Sequence, residues 1–158
     1  MKAKHQPLMA LGLVPRRLFV WSCLIQGAAW VVLGLSAVLM LVPSLGESLF
    51  YVVYFQQVAS PAPVPDVVQG YIRFANGIIG AVMAGWMMMV ILVARGPFMS
   101  GERLAWNLIA WPLLVWYLVD TSFSLAHGVW GNVLLNTATA LMFGIPLLCS
   151  RRLFFDPR

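Results

Sequence analysis

An all-α fold, a polytopic four-helix transmembrane bundle, is what this sequence predicts, and three observations carry the expectation. Of 158 residues, 61% are hydrophobic and 9% charged, whereas a soluble domain is about half apolar and about a quarter charged. So few charges cannot clothe a soluble fold of this size, while lipid requires no charged coat. Next, four apolar stretches each approach the roughly 20 residues that a helix, rising about 1.5 Å per residue, needs to cross a core about 30 Å thick. Last, the basic residues fall in alternate connections, as four crossings require.

The first stretch, 18–42, contains no charge. Lys2, Lys4, Arg16 and Arg17 before it resemble the n-region of a signal peptide. The apolar run is about twice the usual length of a signal core, however, and no A-x-A site closes it, so a retained helix is expected. The second span is expected over 74–94, uncharged, and the third over 104–126, with Asp120 its one charge. The fourth is expected over 129–149. Pro112 and Pro146 are expected to kink spans three and four. The whole chain, 1–158, reads as a single membrane domain.

The connection 43–72 is the least regular part. LFYVVYFQQVA (49–59) is too short to span and rich in aromatic and β-branched residues. It suits an interfacial helix on the outer leaflet or a short strand, with Tyr51, Tyr54 and Phe55 at headgroup level. SPAPVPD (60–66) follows, and prolines at alternate positions favour a stiff, extended strap. Between spans three and four, His127, Gly128 and Gly131 allow a tight turn and an antiparallel hairpin. Trp130 beside it fits one aromatic belt, and Trp21 and Trp106 fit the other.

Nine of the ten basic residues lie before span one, between spans two and three, or after span four; the tenth is Arg73. The positive-inside rule makes that side cytoplasmic, with both termini there, and a bacterial inner membrane the expected home. The net charge of +5 thus reads as orientation, and no nucleic-acid partner is expected. Cys23 and Cys149 lie in apolar runs without a CxxC and suit packing better than a disulfide. Met83, Met87, Met88 and Met89 have no His or Cys neighbour in sequence, so adaptable packing is expected, with no metal and no cofactor. No Walker, GxGxxG or CxxCH motif occurs, and no catalytic set is assigned.

Small residues let membrane helices approach closely. Gly77, Gly80 and Ala84 give span two such a face, which suits packing inside the bundle or a homodimer seam.

One constellation stands out. A charge at membrane depth costs several kcal/mol and faces a partner or a cavity. Ser124 and His127 lie four and seven positions beyond Asp120, on its face. Gln69, Arg73 and Asn76 open span two, and Asn132, Asn136 and Thr139 open span four, each at helical spacing. All belong to the outer half. Arg73, Asn76, Asp120, Ser124, His127, Asn132 and Asn136 are therefore the candidate ligand-binding residues, with Arg73 and Asp120 the expected ion pair. The competing expectation is structural, in which these groups fix helix register through interhelical hydrogen bonds of about 1 kcal/mol each.

The runs RFANGIIG (73–80), VWYLVDTSFSLAHG (115–128) and WGNVLLN (130–136), on four short spans, resemble the small four-span bacterial inner-membrane proteins, including the DoxX-like class. That resemblance implies a plasma-membrane home and an association with respiratory or redox assemblies. It carries no functional residue across. The expected function is accordingly a non-enzymatic subunit or accessory component of a membrane assembly, with the bilayer and another membrane protein as partners. The alternative is binding or transport of a small molecule or lipid through the polar pocket. A third expectation is an enzyme using Asp120 or His127 as acid or base.

Overall fold

The computed structural model describes residues 16–56 and 64–156. These form five α-helices and no strand among the described residues: α1 (Arg16–Leu41), α2 (Pro43–Phe55), α3 (Asp66–Val93), α4 (Arg103–Ala126) and α5 (Trp130–Phe155). Four of them, α1, α3, α4 and α5, are long and apolar enough to cross a membrane. Only 22–28% of each apolar window is buried inside the protein. The remaining faces are rich in exposed Leu, Val, Ile and Phe, such as Leu41, Val67, Leu134 and Leu148. Such surfaces suit lipid and would aggregate in water. The protein is a multi-pass, all-α membrane protein.

Local chemistry sets the boundaries. Val42 alone separates α1 from α2, and Pro43 opens α2, where a missing N–H costs nothing and φ is already helical. The left-handed residue Gln56 (φ 56°) ends α2. Of the segment 49–59, residues 49–55 are thus helical, within a longer helix, and not a strand, while 57–59 lie outside the described residues. The strap expected over 60–66 lies outside the described residues as far as residue 63. α3 begins at Asp66, eight residues before the expected start at 74. Asp66 places a carboxyl in the first turn, where the helix dipole favours negative charge. The onset of α3 is therefore set by its polar first turns, which an apolar-run criterion discards.

α3 runs on through a π-helical turn, Ala94–Phe98, that contains Pro97. Proline has no N–H to donate, and a wider turn accommodates it. The Ser22 hydroxyl of α1 donates to the Ala94 carbonyl at 2.6 Å, and Gln26 donates to Ser22 at 2.9 Å. Gly101 (φ 74°) and Gly128 (φ 71°) reverse the chain into α4 and α5, in a conformation that glycine adopts without strain. Pro112 and Pro146 lie inside continuous helices.

α1 is the hub: it packs most extensively on α3, then on α5 and α2. α4 rests mainly on α5, and α3 and α4, although consecutive, barely touch. Gly80 permits the α1–α3 crossing, because a Cβ there would stand 2.8 Å from the Ser36 carbonyl and from Met40. Gly80 is thus used inside the chain, whereas Gly77 has nothing within 4 Å of its absent Cβ.

The molecule has two unlike ends. Arg16, Arg17, Arg95, Arg103, Arg151 and Arg152 gather at one, tied together by Ser22 to Ala94 and by Arg103 Nε to the Phe154 carbonyl at 2.9 Å. The buried apolar core lies in this half: Leu18, Ile25 and Ala29 of α1, Met87 and Ile91 of α3, Ile109 of α4, and Phe143, Leu147 and Phe154 of α5, with Phe98 from the π turn. Met87 is among them, and Met83 packs against them. Trp106 donates from its indole to the Leu147 carbonyl at 2.9 Å. The other end carries α2, and there polar contacts predominate.

Candidate functional site

α2 folds across one end of the bundle, touching α1, α3 and α5. Its backbone sits directly on α5. A Cβ at Gly131 would lie 2.3 Å from the Val53 carbonyl oxygen, so only glycine permits this approach. Asn76 Nδ2 of α3 donates to the Gly46 carbonyl of α2 at 3.2 Å. Next to it, Arg73 Nε donates to Glu47 Oε1 in a salt bridge, and Gln69 Nε2 donates to Glu47 Oε2 at 3.0 Å. Glu47 is buried, while the Arg73 side chain is 53% exposed. The Arg73 hydrogen bond holds the Glu47 carboxyl below its ordinary value, and its partial desolvation opposes that shift less strongly than the bond favours it.

This pairing corrects one expectation: Arg73 does not pair with Asp120. The early start of α3 puts Arg73 two turns inside a helix, and α2, lying over those turns, delivers Glu47 to it. Glu47 was legible only indirectly. An isolated arginine on a side without other basic residues wants an acid, and the first connection holds just Glu47 and Asp66.

Asp120 finds different partners. Asn132 Nδ2 of α5 donates to Asp120 Oδ1 at 2.9 Å and to Ser124 Oγ at 2.8 Å. The Ser124 hydroxyl stands 2.8 Å from the Asp120 carbonyl and 3.3 Å from Asp120 Oδ1. Its single proton serves one of them at a time. Both side-chain contacts converge on Oδ1, and Oδ2 accepts no hydrogen bond from the described residues. An acceptor oxygen therefore remains for something else.

That carboxyl lines a cavity of about 400 Å³ where α3 and α4 diverge, roofed by α2. Asn76, Asp120, Ser124 and Asn132 supply its polar lining. Phe50 and Tyr54 of α2 and Phe123 of α4 line it with aromatic rings, and aliphatic side chains from α1, α3 and α5 complete the wall. Phe50 and Tyr54 are stacked with centroids 5.5 Å apart. Four of the seven expected site residues thus share one cavity. Arg73, His127 and Asn136 do not line it. His127 is exposed at the C-cap of α4, its Nδ1 2.8 Å from the Phe123 carbonyl and its ring 4.2 Å from that of Phe123. Asn136 is buried and points its amide at Thr121 Oγ1, 3.5 Å away. The aromatic lining was not foreseen, because Phe50 and Tyr54 belong to a helix whose placement over α3 and α5 no local pattern reveals.

The arrangement can accept a hydrogen bond or an opposite charge at Asp120 and enclose an apolar body beside it. Among the described residues no group of three or more His, Cys, Asp or Glu side chains is placed to hold a metal ion. No family model, curated protein or solved structure matches this chain.

Proposed function

We propose that this protein binds a small amphiphile in the cavity beneath α2, with Asp120 as the polar anchor. The ligand class is an organic amine or quaternary ammonium with an apolar body of about ring size. The observation that supports this is the Asp120 carboxyl itself: Oδ1 is held by Asn132, Oδ2 accepts no hydrogen bond from the described residues, and aromatic rings line the same cavity. An anion in a mostly apolar cavity needs a counter-charge, and a cation also gains from aromatic faces. Asn132 and Ser124 are the positioning residues. The protein would sit in a bacterial plasma membrane with its arginine-rich end cytoplasmic, so the cavity would serve the outer half.

Binding of benzyltrimethylammonium to the full chain in lipid nanodiscs, measured by calorimetry, tests this against the neutral carbon isostere. The ammonium should bind at least about tenfold more tightly, near 1.4 kcal/mol. Asp120→Asn should abolish that difference while leaving the thermal unfolding profile nearly unchanged. Equal binding of both compounds, or an unaltered preference in Asp120→Asn, would remove the proposal.

A second reading is favoured by a separate observation. Gly27 and Gly34 of α1 and Gly77 and Gly85 of α3 meet nothing within 4 Å of their absent Cβ atoms, so backbone is open to a neighbouring helix. On that reading the chain is an accessory subunit of a larger membrane assembly, in keeping with its resemblance to the DoxX-like class. Co-purification of a stoichiometric membrane partner, lost on Gly77→Leu, would support it. A monodisperse monomer from gently solubilised membranes would count against it.

A further inference from the structure

At the opposite end lies a second and larger cavity, a groove of about 630 Å³ between the first turns of α1 and the last turns of α5. Its polar lining comes from Arg16 and Arg17 of α1 and Arg152 of α5. Among the described residues no carboxyl group lines it. Two neighbouring arginines are already engaged: Arg103 donates to the Phe154 carbonyl, and the guanidinium carbons of Arg103 and Arg151 lie 5.8 Å and 5.6 Å from the Phe155 ring centroid. Arg16, Arg17 and Arg152, by contrast, make no side-chain hydrogen bond or ion pair with the described residues. Three cationic forks therefore meet at one place with no partner among the described residues.

The rest of the lining is apolar and lies within about one helical turn of those arginines on the same two helices. Trp21 belongs to α1, and Cys149 and Leu153 to α5. A guanidinium matches two oxygens of a phosphate at once, and basic pockets between membrane helices receive phospholipid headgroups. Charge alone would serve a free phosphate equally well. The apolar walls serve only a molecule that carries hydrocarbon on the same phosphate. Trp21 adds a ring of the kind that settles at the glycerol level of a bilayer.

We propose that this groove is a binding site for an anionic phospholipid, with Arg16, Arg17 and Arg152 gripping the phosphodiester and the Trp21, Cys149 and Leu153 walls receiving the first carbons of its chains. The site is independent of the Asp120 cavity and recognises the opposite charge.

Native mass spectrometry of the full chain, equilibrated in detergent with equal amounts of dioleoylphosphatidylglycerol and dioleoylphosphatidylcholine, tests the assignment. The wild type should retain the anionic lipid at least about tenfold over the zwitterionic one. The triple variant Arg16→Gln, Arg17→Gln, Arg152→Gln should retain both alike. Because that variant also alters the charges that orient the chain, Cys149→Trp provides a second reading. It fills the groove from an exposed position, leaves every charge in place, and should lose the preference too. A wild type without preference overturns the proposal. So does a Cys149→Trp variant with full preference, since diffuse surface charge would then suffice. Complete displacement of the lipid by excess inorganic phosphate would overturn it as well, marking a free-anion site.

Discussion

The two halves of this bundle are held together by different physics. In the arginine-rich half, apolar side chains from α1, α3, α4 and α5 interlock, and the main interhelical hydrogen bonds run from a side chain to a carbonyl: Ser22 to Ala94, Trp106 to Leu147 and Arg103 to Phe154. In the half that carries α2, most interhelical bonds join side chain to side chain, as in Glu47 with Arg73 and Asp120 with Asn132, with Asn76 to the Gly46 carbonyl the exception, and Asn76, Asp120 and Asn132 line an open volume. A backbone acceptor persists through mutation of its own residue, whereas a side-chain acceptor disappears with it. One half is therefore built as a scaffold, and the other can change its ligand chemistry without unmaking the fold.

The largest effect should come from the scaffold. Phe98→Ala, at a fully buried ring packed 4.7 Å from Phe154, should cost about 3 kcal/mol, as loss of a core aromatic does. Equilibrium unfolding in mixed micelles reads it, and a cost below about 1 kcal/mol would break the contrast between the halves. Gly131→Ala comes next. Its methyl group would collide with the Val53 backbone, and overpacking of this kind costs about 1–3 kcal/mol. Proteolysis within α2, around Tyr54 and Phe55, should accelerate in that variant as α2 lifts, at little change in the protection of α1.

A pH titration sharpens the comparison further. The Glu47 carboxyl is held below its ordinary 4.5, so its contribution is fully present above that value and lost as pH falls through the depressed one. As pH falls from 7 through the depressed value, the wild type should lose thermal stability that Glu47→Gln never had, so the two melting curves converge in acid. The effect should be small, because Arg73 is half in solvent and water screens the pair. A double-mutant cycle should then find coupling between Arg73 and Glu47 and essentially none between Arg73 and Asp120. Smallest of all, His127→Ala should alter stability and ammonium binding by no more than about 0.5 kcal/mol.

Much of this was legible in the chain. Four crossings followed from run length and from the placement of arginines, and α1 and α4 begin and end within two residues of the expected positions. The polar stripes also led to Asn76, Asp120, Ser124 and Asn132. What hydropathy missed were elements that are helical without being uniformly apolar. The first turns of α3, with Asp66, Gln69 and Arg73, and the start of α2, with Ser44 and Glu47, look like loop to a hydropathy window. Those residues re-paired Arg73. Likewise α5 runs to Phe155, past the expected 149, through Arg151 and Arg152. Helix geometry does not stop where the hydrocarbon does.

The single-residue link at Val42 has a mechanical consequence. α2 is a lever of 13 residues, roughly 20 Å long at 1.5 Å per residue, and its near end is fixed by the chain to α1. A tilt of about 10° about that pivot displaces the far end, at Phe55, by roughly 3 Å, the width of a methyl group. Phe50 and Tyr54 ride on that arm and line the cavity. The seat of the Val53 backbone on Gly131 holds the far part of that arm down, so its loss would let the aromatic lining swing by about that distance.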